Sequence, residues 1–384
     1  MGGRTMEFQA KWIRTSEDTG GVCPVFRKGW KTEKKVERAT LYLTALGVYE
    51  AHLNGKRVGN YVLAPGWTAY DKRLQYQEYD ITDLVGKENE LTVTLGKGWF
   101  RSPMPGWQDT PDKLQRMGRP GGILGEVHIV YMDGSEEVIV TDQSWIWGES
   151  RIRFSEIYDG EFCDDTFVTK EWNTVKEFAW SKEILIPQEG EEIREQEVVT
   201  AKSVFRTPAG EMVVDFGQEI TGYVEFTVDA HVGDRIHILH GEVLDAEGNF
   251  YNANYRSAKA EINYICSEGT QTWHPALTFF GFRYLLLVEF PGEATPEQFR
   301  GIAVYSNIRK TGEIRTSDPA LNQLISNIFW GQRGNFLDVP TDCPQRDERL
   351  GWYLLKLQAI ILMWSGSLRN GFTIWQRIRW RTVQ

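Results

Sequence analysis

At 384 residues the chain exceeds the usual size of one domain, so two or three domains are expected. Its 41% hydrophobic and 25% charged content is that of a globular protein with ample core. A net charge of −10 excludes nucleic acid, and an anionic membrane, as the main partner. Cys23, Cys163, Cys266 and Cys343 lie far apart without paired spacing, so neither a disulfide framework nor a zinc site is implied. The opening Met1-Gly-Gly-Arg-Thr-Met-Glu-Phe8 lacks the apolar run of a secretory signal, and a cytoplasmic location is expected. Tryptophan is abundant, 15 residues beside 15 tyrosines. Such side chains fill sandwich cores or stack on sugar rings, and core filling is the commoner use.

From about Phe8 to Ile186 the pattern is β-rich. Ala39-Thr-Leu-Tyr-Leu-Thr-Ala45 and Leu91-Thr-Val-Thr-Leu95 alternate with period two, as half-buried strands do. Asn54-Gly55 supplies a hairpin turn because both positions tolerate positive φ. Val127 to Val140 reads as a second hairpin, turning at Asp133-Gly134. Many short strands with Gly, Asn and Pro between them predict a sandwich. Pro103 to Gly125, rich in Gly, Pro and charge, reads as a mobile surface loop. The blocks Ala10-Lys-Trp-Ile13, Ala45-Leu-Gly-Val-Tyr49, Leu53-Asn-Gly-Lys-Arg57, Leu63-Ala-Pro-Gly-Trp67, Tyr76-Gln-Glu-Tyr-Asp-Ile-Thr82 and Gly98-Trp99, in that order, resemble the N-terminal sandwich domain of bacterial α-L-rhamnosidases. Trp67 and Trp99 offer faces to a sugar, but packing inside the sandwich is the preferred reading. This first domain is assigned residues 1–196.

Gly190-Glu-Glu-Ile-Arg-Glu-Gln-Glu-Val198 is acidic and reads as a linker or an exposed edge between domains. A second β region follows over residues 197–307. Val213 to Gln218, Gly222 to Val228 and Arg235 to His240 fit strands, with turns at Gly233-Asp234 and Glu247-Gly248. Thr278 to Val288 reads as a buried strand ended by Pro291-Gly292. With His240-Gly-Glu-Val-Leu-Asp-Ala-Glu-Gly-Asn249 and Asn254-Tyr-Arg-Ser-Ala-Lys259, these blocks resemble the family's concanavalin-like sandwich. His237 and His240, three apart on a strand, face opposite sides and cannot share a metal without a bulge. His240 and Glu242 share a side, yet a hydrogen-bonded structural histidine is the preferred reading. There is no glycine-rich phosphate loop, which argues against a nucleotide cofactor.

At Ser317-Asp-Pro319 the pattern changes. Ser317 or Asp318 caps a helix and Pro319 suits its first turn. Leu321, Leu324, Ile325, Ile328 and Phe329 then form one apolar helical face. The helix resembles the opening of the rhamnosidase six-hairpin α/α barrel, assigned to residues 311–384. The fold class is therefore mainly β: two β-sandwich domains followed by the first helix or helices of an incomplete barrel.

The helix leads to Val339-Pro-Thr-Asp-Cys-Pro-Gln-Arg-Asp-Glu-Arg-Leu-Gly-Trp352, whose two prolines in five residues exclude a regular helix or central strand at its start. Three carboxylates raise one another's pKa, as a general acid needs, while Arg346 and Arg349 oppose this. By composition alone a solvated ion-pair cluster is the commoner outcome. The order Asp-Cys-Pro-Gln-Arg-Asp-Glu-Arg-Leu-Gly-Trp nevertheless resembles the segment that opens the rhamnosidase catalytic barrel. That resemblance implies inverting hydrolysis of terminal α-L-rhamnose from glycosides, with Glu348 as general acid. Asp342 and Arg346 then bind sugar hydroxyls or hold the acid in place, and Trp352 packs on the apolar face of rhamnose. Asp347 is a further substrate-binding candidate, although it and Arg349 also suit a structural ion pair. Acid–base hydrolysis requires no metal or organic cofactor.

After Trp352 the text departs from the family, which continues with a Thr-Gly-Asp-Ala-like step. Here it reads Tyr353-Leu-Leu-Lys-Leu-Gln-Ala-Ile-Ile-Leu-Met-Trp364, and all 53 acidic residues precede Leu350. A helix with a basic arm, a native partner-binding tail and a coding frame displaced near Trp352 all fit this shift, and the last is preferred. The resemblance also implies that the general base lies further along the family's chain, so this chain alone is expected to be inactive or nearly so. An apolar patch around Leu321, Ile325 and Tyr353 to Trp364 suggests self-association. Two other readings stand: a non-catalytic carbohydrate-binding sandwich protein, and half of a split enzyme completed by a downstream polypeptide.

Overall fold

The computed structural model describes residues 6–103, 117–341 and 343–346. Period-two alternation becomes strand where one face meets a core. In Val36–Leu46, Leu41, Leu43 and Ala45 are wholly buried on one side, while Thr44 donates its hydroxyl to the Gln75 carbonyl (2.7 Å) on the other. Among the described residues the first sandwich comprises two antiparallel-rich sheets. One runs Lys176–Glu177, Ile13–Arg14, Gly122–Tyr131, Val36–Leu46, Leu74–Asp80, Leu185–Pro187, with Glu136–Val140 also paired to Gly122–Tyr131. The other runs Asn173–Thr174, Ile146–Glu149, Pro24–Lys31, Glu88–Gly96, Val48–Leu53, Lys56–Arg57. Asn54 (φ 54°) and Gly55 (φ 77°) turn one predicted hairpin, and Gly134 (φ 80°) turns the other.

The segment read as a loop from Pro103 to Gly125 is shorter than expected, because the strand Gly122–Tyr131 begins inside it. A β-carbon at Gly122 would meet the Ile13 carbonyl oxygen at 2.7 Å, and one at Gly125 the Tyr42 carbonyl oxygen at 2.9 Å. These glycines serve close strand approach rather than mobility. The rest of that reading, residues 104–116, lies outside the described residues. Trp99 is 2% exposed, stacks on Trp67 with centroids 6.0 Å apart and touches Phe279, so it fills the core between the sandwiches.

The second sandwich is one ten-stranded sheet among the described residues, folded around the long strand Met212–Ala230. Its register with Phe280–Glu289 shifts between Asp215 and Ile220, where Gly217 adopts φ 67°. This bulge bends the strand. Its first half pairs with Ser203–Arg206 and its second half with Gly269–Trp273 and Phe299–Ser306. The acidic run at 190–198 is an edge strand, Ile193–Thr200, antiparallel to Phe299–Ser306. Ile152–Glu156 and Gly160–Asp164 also belong to this sheet, the latter running parallel to Glu261–Ile265.

Phe226 is fully buried between Tyr264 (5.4 Å) and Trp273 (5.6 Å). Replacing it with alanine is expected to destabilise the protein by about 3–5 kcal/mol, measurable as a lower urea midpoint.

Candidate active site

The helix Pro319–Gly334 starts where the sequence places it, because the Asp318 carboxylate accepts from the Ala320 (2.8 Å) and Leu321 (3.4 Å) amides. Its inner face meets the second sandwich. Arg333 pairs with Glu197 at 3.0 Å and lies over the Tyr305 ring, and a β-carbon at Gly334 would reach Thr221 Oγ1 at 2.6 Å. Leu321, Leu324 and Ile328 remain exposed, whereas Ile325 and Phe329 are half-buried.

Beyond the helix, Phe336, Leu337 and Val339 are buried and turn the chain through Asp338, whose φ is 66°. The Asp338 carboxylate accepts the Trp67 amide at 2.8 Å from the first sandwich. Its own amide donates to Ser306 Oγ at 2.9 Å in the second. Thr341 then closes the turn by donating its amide to the Asn335 carbonyl at 2.9 Å.

The described part of the charged motif, Cys343–Arg346, lies on the second sandwich. Pro344 sits so close to Gly281 that a β-carbon there would come within 2.7 Å of it. Gln345 Nε2 donates to Glu242 Oε2 at 3.0 Å, and Asn254 Nδ2 donates to the same oxygen at 3.2 Å. The Arg346 guanidinium donates to the Asn254 carbonyl. Behind them Glu219 neighbours Glu242, and burial together with the Glu242 charge pushes its carboxyl well above the usual range. Burial likewise raises Glu242, against the pull of Asn254, Glu219 and Arg346.

Arg346 is thus placed beside the second sandwich, while Asp342, Asp347, Glu348, Arg349 and Trp352 lie outside the described residues. Sequence reasoning weighed Glu242 only as a partner for His240. In the structure His240 is buried and neutral, with Nδ1 2.8 Å from the Ala260 carbonyl, its ring stacked on Phe280 and its pKa lowered by burial to about 3. Glu242 instead faces the motif. Glu242 and Asn254 do fall within the blocks that carried the resemblance. Glu219 and Asp338 had no comparable signal.

Three family models match in succession: the alpha-L-rhamnosidase N-terminal domain over residues 34–204, the bacterial alpha-L-rhamnosidase concanavalin-like domain over 205–305, and the bacterial alpha-L-rhamnosidase 6 hairpin glycosidase domain over 309–355. The chain belongs to the α-L-rhamnosidase family. It is 38% identical over 365 residues to an α-L-rhamnosidase of Streptomyces avermitilis, covering 88% of this chain and 35% of that relative. The native α-L-rhamnosidase from Aspergillus terreus superimposes with a TM-score of 0.84 at 35% identity, over 90% of this chain and 42% of that one. The Streptomyces avermitilis α-L-rhamnosidase complexed with L-rhamnose gives 0.79 at 36% identity, over 86% and 33%. This chain therefore spans 33–42% of the length of these rhamnosidases. Its mainly β architecture and opening barrel helix are the family's arrangement, as the motif implied.

Asp338→Ala removes the acceptor of the Trp67 amide in a largely buried contact. It is expected to cost about 1–3 kcal/mol in urea unfolding.

Proposed function

We propose that this chain supplies the acid-bearing loop and its two supporting sandwiches to an inverting α-L-rhamnosidase. The observation that carries the reading is the docking of Cys343–Arg346, the described core of the motif, by Glu242, Asn254 and Gly281. The similarity to a relative complexed with L-rhamnose supports the substrate class, a terminal α-L-rhamnose on a glycoside.

In this mechanism Glu348 protonates the leaving glycosidic oxygen while a base on the opposite face of the ring activates water, the two carboxyls standing about 6.5–9.5 Å apart. Arg346 offers a planar set of donors to sugar oxygens and carries positive charge into the site, which favours negative neighbours. Asp342 and Asp347 accept from sugar hydroxyls, and Trp352 covers the methyl-bearing face of the sugar. The general base belongs to a longer polypeptide or to a complementing chain. The exposed face of Leu321, Leu324 and Ile328 is where further barrel helices, or a second copy of the chain, would pack.

Purified alone, the 384-residue chain is expected to release no measurable p-nitrophenol from p-nitrophenyl α-L-rhamnoside, and turnover would overturn this division of acid and base. In a longer reading frame containing these residues, Glu348→Gln is expected to lower kcat by about 10²–10⁴-fold. NMR of the first product formed by the unmodified longer enzyme should show the inverted anomer. A retained anomer, or an unchanged kcat in Glu348→Gln, would remove the assignment.

A further inference from the structure

Two carboxyl groups sit behind the motif loop, and neither takes part in the chemistry proposed above. Glu219 comes from the bulge of the long strand Met212–Ala230, which places it beside Glu242 at the end of Arg235–Gly241. Two neighbouring buried carboxylates cannot both be ionised cheaply, and both are pushed upward here, which favours one proton shared between them. The surroundings decide where it resides. Arg346 faces Glu242, and Asn254 and Gln345 both donate to Glu242 Oε2, so the negative charge is favoured there. Burial is the largest cause of the upward push on Glu219. The one cation facing it is Arg283 among the described residues, and that guanidinium is already engaged by both oxygens of Asp215, at 2.8 and 2.9 Å. Tyr255 feels the charge of both carboxyls, its phenol donating to the Gly281 carbonyl at 2.7 Å and pushed up by burial and by their charge. These surroundings favour the proton on Glu219 and the charge on Glu242, which accepts from the loop.

We propose that Glu219 and Glu242 are positioning residues, a proton-sharing latch that holds Gln345, and through Asn254 the Arg346 side chain, in register on the second sandwich. The latch rests on the proposed role of the loop for its functional meaning, but not for its existence. Loss of the proton would leave two anions in contact, push the Glu242 carboxylate away from Glu219 and release the Gln345 amide. The sign follows from the direction of the shift. Glu219 is raised from 4.5 to about 9 in the folded state, so its contribution is whole below 4.5 and is lost as pH rises through the folded value.

Cys343 provides a readout on the loop itself that needs no enzymatic activity. It is half-buried, whereas Cys23, Cys163 and Cys266 are buried with their thiols pushed up by that burial. Alkylation of Cys343 by N-ethylmaleimide would be followed by mass spectrometry between pH 5 and 10.5, a range that crosses the folded value of Glu219. Each rate is divided by that of the urea-unfolded chain at the same pH, which removes the intrinsic thiolate dependence. Protection in the unmodified chain is expected to fall by at least about ten-fold across this range. Glu242→Ala should lose protection at every pH. Glu219→Gln, whose amide still donates to Glu242 without a titrating proton, should keep protection and give a flat profile. A flat profile in the unmodified chain, or a profile in Glu219→Gln as steep as the unmodified one, would overturn the latch. If Glu242→Ala fails to fold, the near-isosteric Glu219→Gln decides the matter alone. Absence of rhamnosidase activity in the longer enzyme would count against the function and leave this readout unaffected.

Discussion

Close approach of neighbouring side chains to three glycines governs how the motif meets the sandwiches. A β-carbon at Gly66 would lie 2.4 Å from the Asp338 carboxylate, one at Gly281 2.7 Å from Pro344, and one at Gly334 2.6 Å from Thr221. Each contact comes from a different part of the fold: the first sandwich, the second sandwich and the helix. With side chains absent at these points, hydrogen bonds of ordinary length reach the loop from both sandwiches. Bulk at any of them would displace the chain just before the charged residues.

The two sandwiches consequently act as a frame for a loop that lies outside both of them. Rigid strands hold polar groups more precisely than loops hold one another, and catalytic groups tolerate only small misplacements. Here the supports alternate between domains along the chain. Asp338 reaches Trp67 in the first sandwich and Ser306 in the second, and Gln345 reaches Glu242 in the second. The aromatic contact of Trp99 with Trp67 on one side and Phe279 on the other makes those supports parts of one continuous core.

Local grammar was readable from the sequence because it is encoded locally. Asn54-Gly55 and Gly134 turn their hairpins, and Asp318-Pro319 caps the helix, each through chemistry confined to a few neighbouring residues. The acidic run at 190–198 reads as linker or edge alike because a strand with one free side carries only a weak apolar pattern. Partners far apart in sequence were not readable. The Trp67–Asp338 bond joins residues 271 positions apart, and nothing in the local text of Glu219 points to Glu242. His240 is the hydrogen-bonded structural histidine that the sequence favours, set against the Ala260 carbonyl and the Phe280 ring. What its local text does not show is that Glu242, two residues on, meets Gln345 of the motif instead.

The parallel pairing of Gly160–Asp164 with Glu261–Ile265 has a consequence for the protein during its synthesis. Gly160 waits for Glu261, a partner made 101 residues later. At ribosomal rates of about 5–20 residues per second, that strand edge emerges about 5–20 s before anything can cover it. For this interval the nascent polypeptide presents an open ladder of amides and carbonyls, a template on which a second extended chain can pair.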